Sequence, residues 1–458
     1  MALHIIILAA GQGKRMRSAM PKILHPIGGA AMFERVIAVA QTLQPDQIHV
    51  IIGHAGASVR AAYPKLNVHW VEQAQQLGTG HAVLQALPFI PKEAKILVLC
   101  GDTPLLRAEP LQQLVDACPL TANPQPLALL LASLPHSFGF GRIIRNTQRE
   151  IIAIVEEKDA NAIQRQITEI YPGICCTSAE NLNRWLPALS NHNAQGEHYL
   201  TDIVAMAHAQ HHPIVSTHVS DYRDVLGVND RVQLQAAERI WQQRLAQELL
   251  LSGVTLADAN RIDIRGTLAC EQDVLIDVNT VFIGQNSIGE GSVIEPNCML
   301  SHVQIGKRCR ILASSVLDGC IIGDDCTVGP FARLRPGTEL ANHCKIGNFV
   351  ETKKAQMGEH SKANHLSYLG DVTIGRDVNI GAGTITCNYD GVNKHHTTVE
   401  DGVHIGSDTQ LVAPVTLGKN ATIGAGSTIR HHAPPNELTL TVSEQKTVYG
   451  WKRPSKKQ

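Results

Sequence analysis

The stretch HIGSDTQLVAPVTLGKNATIGAGSTIR, residues 404–430, decides the fold of the second half of this chain. Ile405, Leu411, Leu417, Ile423 and Ile429 stand six apart without a break, and Gly406 and Gly424 each follow one of them. A helix repeats its apolar face about every 3.6 residues and a half-buried strand about every 2. A period of six belongs to neither. It fits a coil of short strands in which every sixth side chain points inward and a small residue turns each corner. The same period runs through Ile322, Val328, Leu334, Leu340 and Ile346, with Gly323 and Gly347 behind two of them. Cys320, Cys326 and Cys344 differ by multiples of six, so they are expected to stack as a ladder of small buried side chains. Between the two runs the phase breaks: Ile346 to Ile374 spans 28 residues and Ile380 to Ile405 spans 25. The extra residues fall in ETKKAQMGEHSKANHLSYLGD and TCNYDGVNKHH, read here as loops on one face, where binding residues collect.

Ahead of the coil, residues 229–252 read as a connecting helix. Asn229-Asp230 can cap it, Val232, Ala236, Ile240, Leu245 and Leu249 form its apolar stripe, and Gly253 stops it. Earlier still, HIIILAAG, QIHVIIGH, KILVLCGD and PLALLLAS are β-rich runs backed by turn residues, with FERVIAVAQTL and GTGHAVLQALPFI between them as amphipathic helices. This alternation predicts a parallel α/β sheet with helices on both faces, whose ligands sit beyond the carboxyl ends of the strands. The domains are drawn at 1–228, 229–252 and 253–458.

Composition narrows the function. The 458 residues carry 40 Lys+Arg against 41 Asp+Glu, a balance with no global attraction to nucleic acid or membrane. Hydrophobic residues make up 44 % but aromatic ones only 4 %, so the chain has enough apolar content to fold and its core rests on aliphatic packing. No apolar run reaches the roughly 18–20 residues that a membrane helix needs. The opening MALHIIILAAGQGKRM reads as a strand rather than a signal peptide, so a cytoplasmic protein is expected. The eleven Cys include no CxxC pair and suit neither a disulfide framework nor a zinc site.

The first strand runs into Leu8-Ala9-Ala10-Gly11-Gln12-Gly13-Lys14-Arg15-Met16. A Gly-rich turn of this kind exposes backbone N–H groups to phosphate, and Lys14, Arg15 and Lys22 add positive charge. It matches neither the P-loop nor the full dinucleotide fingerprint. Asp102 follows the strand KILVLC, where a carboxylate can either hold a divalent ion against phosphates or cap the turn before Thr103-Pro104. Taken together, LAAGxGxRM, PKILHPIGG (Pro21–Gly29), QLGTGHA (Gln76–Ala82), CGDTPLL, GFGRI (Gly139–Ile143) and VEEKDA (Val155–Ala160) resemble the sugar-1-phosphate nucleotidyltransferases. With the hexapeptide half attached, nearly the whole chain resembles the bacterial bifunctional family that joins an N-acetylglucosamine-1-phosphate uridyltransferase to a glucosamine-1-phosphate acetyltransferase.

The resemblance implies a Rossmann-like nucleotidyltransferase domain, a connecting helix and a left-handed hexapeptide-repeat parallel β-helix. It implies acetyl transfer from acetyl-CoA to glucosamine 1-phosphate in the C-terminal domain. Uridylyl transfer from UTP in the N-terminal domain then yields UDP-N-acetylglucosamine, a precursor of cell-envelope polymers. By the same resemblance Leu8, Ala9, Ala10, Gly11 and Lys22 cradle UTP, while Gln73, Gly78 and Thr79 read its uracil and ribose side. Cys100, Gly101 and Asp102 sit at the phosphates, Gly141 and Glu156 hold the amino sugar, and Asn229 completes a Mg²⁺ site with Asp102. Arg15 and Lys22 supply catalytic charge.

In the coil, the resemblance makes His365 the base, oriented by Glu351. Acetyl transfer to an amine needs a base of near-neutral pKa, which His provides. Arg335, Lys353, Tyr368, Asn379 and Lys394 form the acceptor site, and Ala382, Asn388, Tyr389, Ser407 and Ala425 hold acetyl-CoA. The implied partners are small-molecule substrates and further copies of the chain in a homotrimer. Two positions depart from the family pattern: Tyr171 stands where a sugar-contacting Asn is common, and Val442 where an Arg often meets the coenzyme. Two other readings stay open on sequence, a nucleotidyltransferase whose coil only oligomerises or regulates, and a non-catalytic scaffold.

Overall fold

A computed structural model describes residues 2–53 and 55–456. The chain divides into two compact units, Met1–Trp241 and Gln242–Gln458.

The first unit is built on one sheet with helices on both faces. His69–Glu72, Gln47–Ile52, Leu3–Leu8 and Lys95–Cys100 lie side by side and parallel. Alternate residues serve opposite cores: Ile6 and Val98 pack with the helix Thr79–Ala86, whereas Ile5, Ile7, Leu97 and Leu99 pack with the helix Met32–Thr42. The sheet is mixed rather than wholly parallel. Cys175–Ser178 inserts antiparallel between Lys95–Cys100 and Leu127–Ser133, and Glu169–Tyr171, Gly141–Arg145 and Ile151–Val155 continue antiparallel beyond it. Cys175–Ser178 and Glu169–Tyr171 each lie between two strands that precede them in sequence, or beside one that does, which local alternation cannot reveal.

At the amino ends of the first three parallel strands, three imidazoles form a row. His4 Nδ1 lies 3.0 Å from His49 Nε2, and His49 Nδ1 lies 3.1 Å from His69 Nδ1. Burial, with its two imidazole neighbours, pushes His49 down to about 4.

The second unit is a parallel β-helix whose interior is aliphatic. All ten residues of the two period-six runs are buried. Of the seven aromatic residues after Gly253, only Phe282 joins the core, since a narrow coil has little room for rings. The register shows that one turn of the coil takes 17 or 18 residues: Val328 pairs with Ile346, Ile346 with Ala363, and Ala363 with Ile380.

This register corrects two expectations. The segment 351–371 is no insertion, because Glu351–Met357, Lys362–His365 and Tyr368–Ile374 are regular strands. The phase slipped there because two successive turns are one residue short of 18. The second interruption is a true loop, since Ile380 pairs with Ile405, 25 residues on, and the surplus emerges around Tyr389–Lys394. Likewise the thiol ladder is Cys309, Cys326 and Cys344, one turn apart, while Cys320 lies on the neighbouring face. Their Sγ atoms donate to the carbonyls of Gly323, Ala341 and Gly358 at 2.9, 3.0 and 3.1 Å. Ser292 and Ser361 make the same bond in the same column, to Gly306 and Gly375. All eleven cysteines are free.

The helix Arg231–Leu251 begins as expected: the Gln233 N–H donates to Asp230 Oδ1 at 2.8 Å, and Gly253 ends it at φ +98°. Its buried face differs from the expected stripe. Val232 is 77 % exposed and Ala236 is exposed, while Ala237, Gln242, Ala246 and Leu249 are buried. Gln242 takes a core position because its side-chain amide closes both hydrogen bonds of the Ile264 backbone at 2.8 Å. Among the described residues no helix is long and apolar enough to cross a membrane.

Candidate functional site

In the first unit the carboxyl ends of the parallel strands open into a cleft of ≈ 620 Å³. Leu8, Ala9, Ala10, Gly11, Arg15, Lys22, Gln73, Gly78, Thr79, Cys100, Asp102 and Asn229 all line it. An adjoining ≈ 200 Å³ recess shares Leu8, Thr79, Cys100, Asp102 and Asn229 and adds Gly141, Glu156 and Tyr171. Fourteen of the fifteen residues assigned to this half therefore converge. Gly101 lines neither cavity; its N–H donates to Leu8 O at 2.9 Å, tying the two central strands together where they end.

The centre of the cleft is an ammonium held by two oxygens. Lys22 Nζ donates to Asp102 Oδ2 and, at 3.1 Å, to Asn229 Oδ1. Asn229 is kept there by the helix that follows it, because its own N–H donates to Gln233 Oε1 at 2.7 Å. Gln73 is buried and fixed by donating to Gly78 O at 3.1 Å. Arg15 stands exposed on a short turn at the rim.

In the recess, burial raises Glu156 above the usual carboxylate range, and Thr201 Oγ1 donates to it at 3.1 Å. Burial also raises the Cys100 thiol, which keeps it protonated and unreactive. Tyr171 contributes an almost fully buried ring. The sequence reading gave no site role to Thr201, nor to Gln76 at the head of QLGTGHA, whose Nε2 donates to Ala10 O at 2.9 Å. Nothing local marks Thr201, which reaches Glu156 from a turn 45 residues away.

The second unit builds its site by register. The Leu366 N–H donates to Asn348 O, Gly383 to His365 O, Asp408 to Ala382 O, and Gly426 to Ser407 O. Asn348, His365, Ala382, Ser407 and Ala425 thus form one column over successive turns. Gly406 permits that packing, since a Cβ there would lie 2.5 Å from Ala425 N. Round the corner, Glu351 pairs with Tyr368 in register and Lys353 with Gly370. Asn379 sits at the start of the strand leading to Ala382.

The cations assigned to the acceptor site are engaged here with the protein. Arg335 Nη1 meets Glu351 Oε1 at 2.9 Å, Lys353 Nζ lies 3.7 Å from Asp371, and Lys394 Nζ stands 4.3 Å above the Tyr389 ring. Asn388 Nδ2 donates to the same Asp371 at 2.5 Å. Glu351, expected to orient His365, is held instead by Arg335; Asn348 Oδ1 lies 2.9 Å from His365 Nδ1.

Comparison with known proteins places both halves. The MobA-like NTP transferase domain matches residues 5–164, and the bacterial transferase hexapeptide family matches 319–354 and 396–431. The Bifunctional protein GlmU of Legionella pneumophila strain Lens is 61 % identical over 460 residues, covering 100 % of both chains. Its namesake in Marinobacter nauticus is 51 % identical over 454 residues, covering 99 % of both.

This chain belongs to the bifunctional GlmU family.

Its two halves are enzymes, a nucleotidyltransferase joined to a hexapeptide acetyltransferase. Relatives with the same name in Xylella fastidiosa are 51 % identical and cover 99 % of this chain, so family likeness runs through the cleft and the column alike.

Proposed function

We propose that this chain makes UDP-N-acetylglucosamine in two steps at two separate sites. The observation that carries the reading is that one chain holds both a carboxylate–amide pair gathering a cation at the mouth of an α/β sheet and a histidine set beside an asparagine on a β-helix.

In the second unit the amine of glucosamine 1-phosphate attacks the thioester carbon of acetyl-CoA. The C–N bond forms as the C–S bond breaks. His365 takes the amine proton and returns it to the departing thiolate. Arg335 and Lys353 hold the sugar phosphate, with Tyr368, Asn379 and Lys394 completing the acceptor site. Ala382, Asn388, Tyr389, Ser407 and Ala425 hold acetyl-CoA.

In the first unit a phosphate oxygen of N-acetylglucosamine 1-phosphate attacks the α-phosphorus of UTP, and pyrophosphate leaves. Leu8–Gly11 and the Cys100–Asp102 turn receive the phosphates, Gln73, Gly78 and Thr79 the base and ribose, and Gly141 and Glu156 the sugar. Asp102 and Asn229 suit Mg²⁺: two hard oxygens already converge on one cation, the Lys22 ammonium, and a lone carboxylate leaves room for phosphate ligands. Bound there, the ion would neutralise charge building on the phosphates. Lys22 and Arg15 supply the remaining fixed positive charge.

The exposed apolar corner of Phe331, Phe349 and Leu366 supports a homotrimer in which copies cover one another. With UTP and acetyl-CoA as substrates, the reading puts the enzyme's work in the cytoplasm. Two assays on the whole chain test the reading. CoA release from acetyl-CoA should require glucosamine 1-phosphate, and pyrophosphate release from UTP should require N-acetylglucosamine 1-phosphate and Mg²⁺. Pyrophosphate release without any CoA release would reduce the coil to an oligomerising module.

A further inference from the structure

The base of the acetyl site stands beside a side chain that decides which of its nitrogens can work. His365 Nδ1 lies 2.9 Å from Asn348 Oδ1. An amide oxygen only accepts, so the imidazole must donate through Nδ1–H and carry its lone pair on Nε2. The contact follows from the coil itself, because Asn348 and His365 are in register on neighbouring turns. Gly347 brings the two turns close: a Cβ at that position would lie 1.9 Å from Asn364 O, on the strand that carries His365. The His365 backbone is also pinned, its carbonyl accepting from Ser367 Oγ at 2.9 Å.

We propose that Asn348 is the positioning residue of the acetyltransferase, holding His365 in the tautomer whose Nε2 accepts the amine proton; this rests on His365 being the base. The surrounding charges do not substitute for it. Glu351 is paired with Arg335 and Asp371 with Lys353. The column neighbours of His365 are Asn348 and Ala382, neither ionisable, with Lys345 and Lys362 on the flanking strand positions and Asp408 beyond Ala382. A neutral partner fixes the tautomer without the added attraction for imidazolium that a carboxylate would exert.

Steady-state acetyl transfer by the full chain tests this with Asn348→Ala, Asn348→Asp and His365→Ala, with the thermal melt of the coil as the measure of intact folding. Asn348→Ala should lower kcat for CoA release about ten- to a hundredfold with little change in either KM. Asn348→Asp should restore much of that rate but move the acidic limb of the pH profile upward by about one unit, as a carboxylate holds the imidazolium. A purely structural role would leave that limb unmoved. If both Asn348 variants keep the wild-type rate and profile while His365→Ala is inactive, the positioning role is refuted and the base assignment survives. If His365→Ala retains acetyl transfer, the base assignment falls and the positioning role with it.

Discussion

The two halves assemble their sites by opposite means. In the first, Lys22 meets Asp102 across 80 residues and Asn229 across 207, so the centre is gathered from segments that share nothing in sequence but a common sheet edge. In the second, Asn348, His365, Ala382, Ser407 and Ala425 come together because each occupies the same place on successive turns. A site at the ends of sheet strands depends on loops that packing alone positions. A site on a coil depends on register, which the repeat dictates.

That contrast can be broken most sharply with single substitutions read in both assays. His365→Ala should lower acetyl transfer by up to about 10⁴-fold while leaving pyrophosphate release unchanged. Asp102→Ala should do the reverse, lowering pyrophosphate release about 10²–10³-fold and sparing CoA release. A loss of both activities from either change would mean that the halves do not act as separate sites.

Stability should divide the same way. Leu417→Ala removes a fully buried rung of the coil and should cost about 2–5 kcal/mol, seen in thermal melts as loss of the second unit. The first unit should instead be sensitive to acid. Burial depresses His49 to about 4, whereas the unfolded imidazole titrates near its ordinary value of 6.5. Between those values the unfolded chain takes a proton that the folded chain refuses. Stability is therefore intact above pH 6.5 and falls as the pH drops toward 4, by at most about 3 kcal/mol. Urea titrations across that range should show the slope, and His49→Phe should flatten it. The smallest effect is expected at Cys326→Ser. Ser292 and Ser361 already make the same donor bond in that column, so a change within about 1 kcal/mol is expected.

The coil was almost fully legible. Ten aliphatic residues at a spacing of six are all inside, and Gly253 ends the helix before them. What failed was the count across 346–374, because two turns of 17 residues imitate an insertion when measured in sixes. The thiol ladder failed for a related reason: residues six apart share a depth, but only residues a whole turn apart share a column. In the first unit, motif likeness found fourteen residues that converge on the cleft, yet gave no site role to Gln76 or Thr201, which lie on it through contacts with Ala10 and Glu156. The inserted antiparallel strand Cys175–Ser178 was equally hidden, since β-rich residues do not state their partner.

By itself the sequence determined the period, and with it the coil and its aliphatic interior. It also determined which residue types the cleft contains. Only the tertiary structure decided that Lys22 rests between Asp102 and Asn229, that Glu351 answers to Arg335, and that Asn348 answers to His365. The physical reason is range. Burial patterns repeat along the chain and can be read locally, whereas a hydrogen bond between distant residues exists only once packing has fixed both of its ends.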